Sequence, residues 1–201
     1  MRGMILAAVL AVGMAGGVWA EPMVEYKGRR IQVADGDQSR ECLALVRKAI
    51  DMTAELPPKQ RALTSEVKDL RCSPIPEARR TNAVVDNTIG IYTMQSPDTP
   101  GGYIRFPLKP GNLSAADVAM SLMGNGSYAH WHRAYLSARQ KGPNDPVARK
   151  YHALLTKSDV KAVLMAECEL MENDRVAVLA LGLGERRAAS IGKRMSVRGC
   201  P

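Results

Sequence analysis

Four cysteines, Cys42, Cys72, Cys168 and Cys200, form two groups near opposite ends of the chain, with about thirty residues between the members of each group. An even number of cysteines suits two disulfides, and the spacing opposes the main alternative. No CxxC occurs and no cysteine lies within four residues of a histidine, so a structural zinc site has no local ligand pair. The absence of CxxCH argues against covalently attached haem. Four cysteines allow three connectivities. Cys42–Cys72 with Cys168–Cys200 is the expected one, because each bridge then closes a loop within one end of the chain. The chain-entropy model gives each such bridge roughly 3–4 kcal/mol. With all four thiols used in this way, none remains as a nucleophile.

Disulfides persist in oxidising compartments, and the N-terminus agrees with that setting. Arg2 opens a short basic end, Met4 to Met14 is almost wholly apolar, and Val18 and Ala20 supply small residues before Glu21. Residues 1–20 therefore read as a secretory signal peptide; the apolar run falls short of the ~20 residues that a bilayer span needs. Residues 21–201 read as a single exported globular domain, periplasmic or secreted, with no membrane span after signal removal. Taking 20 from 201 leaves 181 residues, long enough for a hydrophobic core to supply most of the stability and for the bridges to brace it.

Lys and Arg number 28 and Asp and Glu 20, a formal charge of +8 that becomes +7 without Arg2. Such an excess suits an anionic cell-envelope component, lipid headgroups or an acidic protein, and equally a solvated surface without a dedicated partner. Nucleic acid is not an expected partner: eight aromatics remain after Trp19 is removed, and they do not form a stacking platform interleaved with cations. A G-x-S-x-G elbow, a P-loop and a Rossmann glycine fingerprint are all missing from the sequence.

Hydrophobic periodicity predicts an α+β fold, mainly helical with a small antiparallel sheet, stapled by two disulfides. Residues 25–33 read as a strand or tight hairpin turning at Gly28. From Ser39, Leu43, Val46 and Ile50 mark an amphipathic helix, which Leu56-Pro57-Pro58 stops. Leu63 to Leu70 is expected to be a second helix, so that Cys42 and Cys72 would staple a helical pair. Ala83 to Val85, Thr88 to Tyr92 and Gly102 to Phe106 are strand-like, the last two joined as an antiparallel hairpin through the turn-rich residues 96–101. Ser114 with Asp117 forms a capping box, and Gly124-Asn125-Gly126 is expected to break the helix that it starts. Asp145 with Pro146 opens the next helix. Ser158 is expected to cap a longer one through Leu181, followed by a basic tail that Cys200 ties down.

Candidate chemistry concentrates in two places. His130 and His132 flank Trp131, and Glu167, Glu169 and Glu172 lie on the long helix with Asp174. On a strand or loop an H-x-H pair can chelate a metal; on a helix the two rings diverge by about 200°. The helical reading instead aligns Tyr128, His132 and Tyr135. Hydrogen-bonded, partly buried histidines and a solvated acidic stripe paired with Arg133 or Arg175 are the alternatives to a metal site. Met120 and Met123, at M-x-x-M spacing, with the two histidines would suit copper, or simply fill a core.

The order of these elements, a histidine-bearing helix followed by a carboxylate-bearing one, resembles a small zincin-type (gluzincin-like) metallopeptidase domain over roughly Thr88 to Leu181. In that family H-E-x-x-H supplies two zinc ligands and a catalytic glutamate, and a later helix supplies a carboxylate ligand. The resemblance implies zinc as cofactor, with His130, His132 and Glu167, Glu169 or Glu172 as its ligands. Trp131 stands where the catalytic glutamate would be and Ala134 where the second histidine would be, which implies a divergent or inactive member. Two functions follow from the sequence: an exported noncatalytic binding or structural protein with a basic surface, or a zincin-like metal-binding domain.

Overall fold

The structure, a computed structural model, describes residues 22–34, 36–73, 90–93, 101–107, 113–142 and 144–201. The segment 1–20 expected to be a signal peptide, residues 83–85 expected to be strand-like, and most of the turn expected at 96–101 lie outside the described residues. The chain is α+β and mainly helical, as expected, and carries both anticipated disulfides, Cys42–Cys72 and Cys168–Cys200.

Strands β1 (Met23–Tyr26) and β2 (Arg29–Val33) form the predicted hairpin. Tyr26 pairs with Arg29, leaving Lys27 and Gly28 as a two-residue turn with φ of 45° and 74°. Such a turn needs positive φ at both positions, which is why a glycine stands there. The sheet continues through β3 (Asp69–Cys72), β5 (Tyr103–Phe106) and β4 (Ile91–Thr93) in the order β1-β2-β3-β5-β4. The sheet is mixed where an antiparallel one was expected: its outer pairings are antiparallel, the β4–β5 hairpin among them, but β2–β3 and β3–β5 run parallel because a helical crossover joins β2 to β3. A parallel neighbour requires a long crossover. Here α1 (Asp37–Met52), a 3-10 turn (Thr53–Glu55) and α2 (Pro58–Thr64) supply it between β2 and β3.

Registration across the three central strands makes two apolar rows, Ile31–Leu70–Ile104 and Val33–Cys72–Phe106. These rows face Val46, Ala49 and Ile50 of α1 and Val118, Ala119 and Leu122 of α3 (Ala115–Arg139) in one buried cluster. The Cys42–Cys72 bridge ties α1 to the central strand within this cluster.

The expected helix over Leu63 to Leu70 is a correction. The first helix and its 3-10 turn end before Leu56-Pro57, as expected, and Pro58 then opens α2, consistent with its missing N–H and preset φ. Leu63, Val67 and Leu70 fit a helical period, but Leu70 and Cys72 also alternate inward, and pairing with β2 and β5 selects the strand. The expected break at Gly124-Asn125-Gly126 is a second correction, since α3 runs through it. A Cβ on Gly126 would collide with the Leu63 carbonyl, so this glycine lets α2 approach α3. Asn125 faces β4, accepting the Tyr92 N–H at 2.9 Å and donating to the Gly90 carbonyl at 3.4 Å.

Helix α4 (Pro146–Thr156) begins on Asp145, whose carboxylate accepts the Val147 and Ala148 N–H groups. Helix α5 (Val160–Ala180) is capped by Asp159, one residue beyond the expected Ser158. Ser158 instead closes α4, its N–H donating to Ala153 after Lys157 turns left-handed at φ 53°. The expected basic tail is helix α6 (Glu185–Val197), amphipathic, with Ala188 and Ile191 buried against Val178 of α5. The Cys168–Cys200 bridge ties the residues after it to α5.

Candidate functional site

Helical geometry separates the two candidate histidines, as their spacing requires. His130 is exposed and points to the turn after α2, where its Nδ1 lies 3.3 Å from Glu66 Oε1. Arg133 pairs with the same carboxylate and donates to the Glu66 carbonyl. His132 is buried on another face, its Nδ1 3.3 Å from the Tyr92 hydroxyl. Desolvation lowers its pKa, so the neutral ring is favoured there. Tyr128, which the helical reading aligned with His132, makes an edge contact with Trp131, and Tyr135 meets the His152 ring at 5.6 Å.

The carboxylates of α5 also diverge. Glu167 pairs with Arg198, Glu169 with Lys59 at 3.0 Å, and Glu172 with Arg175 through hydrogen bonds of 2.7 and 2.8 Å. The Arg175 pairing was one of the anticipated alternatives; the partners of Glu167 and Glu169 come from distant elements. Asp174 of α5 feels Arg194 and Arg187 of α6, yet burial raises its pKa to about 6 against their lowering influence. Among the described residues no group of three or more histidine, cysteine or acidic side chains is placed to hold a metal ion. His130, His132 and one of Glu167, Glu169 and Glu172 therefore do not form such a group among the described residues. Met120 and Met123 pack into apolar clusters with Leu56, Leu63 and Ala177, the core-filling role that was the alternative to copper.

What the helices do assemble is a cavity of ≈ 440 Å³ between α4 and α5, reaching Trp131 of α3 on one side and Met195 of α6 on another. Lys150, Tyr151 and Leu154 come from α4; Ala162, Met165 and Ala166 come from α5. Cys168 and Pro201 bring the second disulfide and the residues after α6 to its edge. Trp131, lying between the two histidines, thus joins Glu169 and Glu172 in one wall. Sequence reasoning named both glutamates, but for a metal, and missed Tyr151, Leu154, Met165 and Met195. The usable signal was the position of Trp131 on a helix face different from either histidine.

The charge around α4 is lopsided. Residues 139–161 hold Arg139, Lys141, Arg149, Lys150, Lys157 and Lys161 against Asp145 and Asp159, six cations less two anions, or +4. Both aspartates face backbone N–H groups as helix caps. All six cations are exposed, and among the described residues none of them pairs with a carboxylate.

No helix among the described residues is long and apolar enough to cross a membrane. No protein-family model, curated protein or solved structure matches the chain.

Proposed function

We propose that the protein is an exported, noncatalytic binding protein that uses the basic face built on α4 to engage an anionic partner. The observation that carries this reading is the +4 excess of residues 139–161, whose two carboxylates are taken up by helix capping. Clustered cations without counter-ions raise the local concentration of anions and are weakened by salt over a Debye length of about 8 Å at physiological ionic strength. Both disulfides fit an oxidising environment outside the cytoplasm. The anionic cell-envelope polymers and acidic proteins met there are the partner class that this surface suits.

The test compares two charge reversals of equal size. Arg149→Glu with Lys157→Glu alters the α4 face; Lys48→Glu with Lys68→Glu alters exposed positions on α1 and before β3. Retention on a dextran sulfate column should fall to lower eluting salt in the first variant and by much less in the second. Equal falls in both would mean that only net charge matters, and would reject a dedicated face.

A further inference from the structure

The cavity beside the basic face differs from it in chemistry. Three charged side chains line it, and two are committed: Glu169 to Lys59 and Glu172 to Arg175. The third, Lys150, has the Tyr151 ring 5.5 Å from its Nζ and no carboxylate partner among the described residues. The remaining wall is mostly apolar, with Trp131, Leu154 and Met195, and Met165 is half exposed at 50%. A cavity of ≈ 440 Å³ falls within the roughly 300–1,000 Å³ typical of small-molecule sites, which combine apolar walls with a few polar anchors.

We propose that this cavity binds a single-chain anionic amphiphile of the alkyl carboxylate class. Its head meets the Lys150 ammonium, and its chain runs along Leu154, Met165 and Met195 beside the Trp131 indole. Charge favours an anionic head: Lys150 is the one lining ion without an ion-pair partner among the described residues, whereas Glu169 and Glu172 are each held by a cation, Lys59 and Arg175. Shape weighs against a bilayer surface, which does not enter a half-open recess between helices. The inference rests on the anion-binding role of the α4 face proposed above, and it adds an apolar part that a polyanion lacks.

Decanoate, held below its micelle concentration, is the probe, and tryptophan emission is the readout. Trp131 lies in the wall and Trp19 falls within the expected signal peptide, so a Trp131→Phe variant of the 21–201 protein supplies the background. Saturable binding is expected in the parent. Losing a charge-assisted hydrogen bond to the head, Lys150→Gln should weaken binding by roughly 10- to 100-fold. Ala162→Phe, which fills the cavity from its α5 side, should abolish binding. The proposal is overturned if decanoate shows no saturable binding. It is equally overturned if decyltrimethylammonium or decanol binds as tightly, or if both variants bind like the parent.

The Arg149→Glu with Lys157→Glu variant separates this inference from the preceding one. It should lose dextran sulfate retention and keep decanoate affinity within about twofold, since neither residue lines the cavity. Retention that depends on the α4 face without decanoate binding leaves the basic-face reading standing and removes the amphiphile. Decanoate binding without face-specific retention does the reverse.

Discussion

Gly124 and Gly126, two residues apart in α3, should respond to alanine with opposite signs. Both are interior helix positions, so each glycine costs about 1 kcal/mol of helix propensity that alanine would restore. At Gly124 an added Cβ meets nothing within 4 Å, and the full gain should appear. At Gly126 the same methyl would overlap the Leu63 carbonyl, a backbone group that cannot rotate away. Relief requires α2 to move off α3, and this is the helix pair whose approach also sets the turn bearing Glu66. Overpacking of this kind costs about 1–3 kcal/mol, with a rigid backbone obstacle at the upper end. Setting ~3 against the ~1 recovered in propensity leaves Gly126→Ala about 2 kcal/mol less stable than the parent. Gly124→Ala should be about 1 kcal/mol more stable. Urea unfolding followed by circular dichroism measures both, with the shift in midpoint at constant slope giving the sign. A Gly126→Ala protein as stable as Gly124→Ala would refute the close-approach account of why this glycine interrupts no helix.

The two disulfides close loops of similar separation, 30 and 32 residues, so the chain-entropy contribution is about 4 kcal/mol for each. Cys42 and Cys72 also lie in the main core, so replacing that pair by alanine should cost a further ~1–2 kcal/mol in lost packing; equal losses in urea unfolding would count against the added packing cost. Asp174 supplies a pH test. Its folded pKa is raised above 3.8 to about 6, so its favourable contribution is fully present below the lower value and is lost as pH rises through about 6. With Tyr128 of α3 facing it and Arg187 and Arg194 of α6 partly offsetting the burial, Asp174→Asn should stabilise the protein by ~1–3 kcal/mol at pH 8. It should have little effect near pH 4, and a difference between variant and parent that is the same at both pH values would remove the raised pKa.

Much of the fold is local in origin and could be read locally. The two-residue turn at Lys27-Gly28, the capping box at Ser114 and Asp117 and the cap at Asp145 are each satisfied by neighbours in sequence. The disulfide pairing was readable because each bridge closes a loop within one end of the chain. The errors fall where a distant partner decides. Leu63, Val67 and Leu70 have helical spacing, and only β2 and β5 on either side of Leu70 make a strand the better solution. Gly126 looks like a helix breaker until α2 is placed against it. Ser158 and Asp159 could each cap α5; the left-handed turn at Lys157 gives the serine N–H to α4 and leaves the cap to the aspartate.

The candidate site shows the same division. A histidine-bearing helix followed by an acidic one suggested a shared ion, but a helix sends residues two apart to different faces, and His130 and His132 go to different partners. The acids of α5 are likewise dispersed by cations from elements that the sequence could not align, Lys59 before α2's midpoint and Arg198 after α6. The basic segment was more accessible to sequence reasoning than the acidic one. Asp145 was already recognisable as a cap, and a cap carboxylate turned toward backbone N–H groups is poorly placed to neutralise side chains nearby. Setting the Asp145 cap aside raises the basic excess of residues 139–161 from +4 to +5, the same as residues 186–198, and only the structure shows that Arg187 and Arg198 of the latter are paired. The cavity required more: Lys150 gains its proposed role only when α4 folds beside α5 and brings an unpaired ammonium to a wall containing Trp131 and Met165.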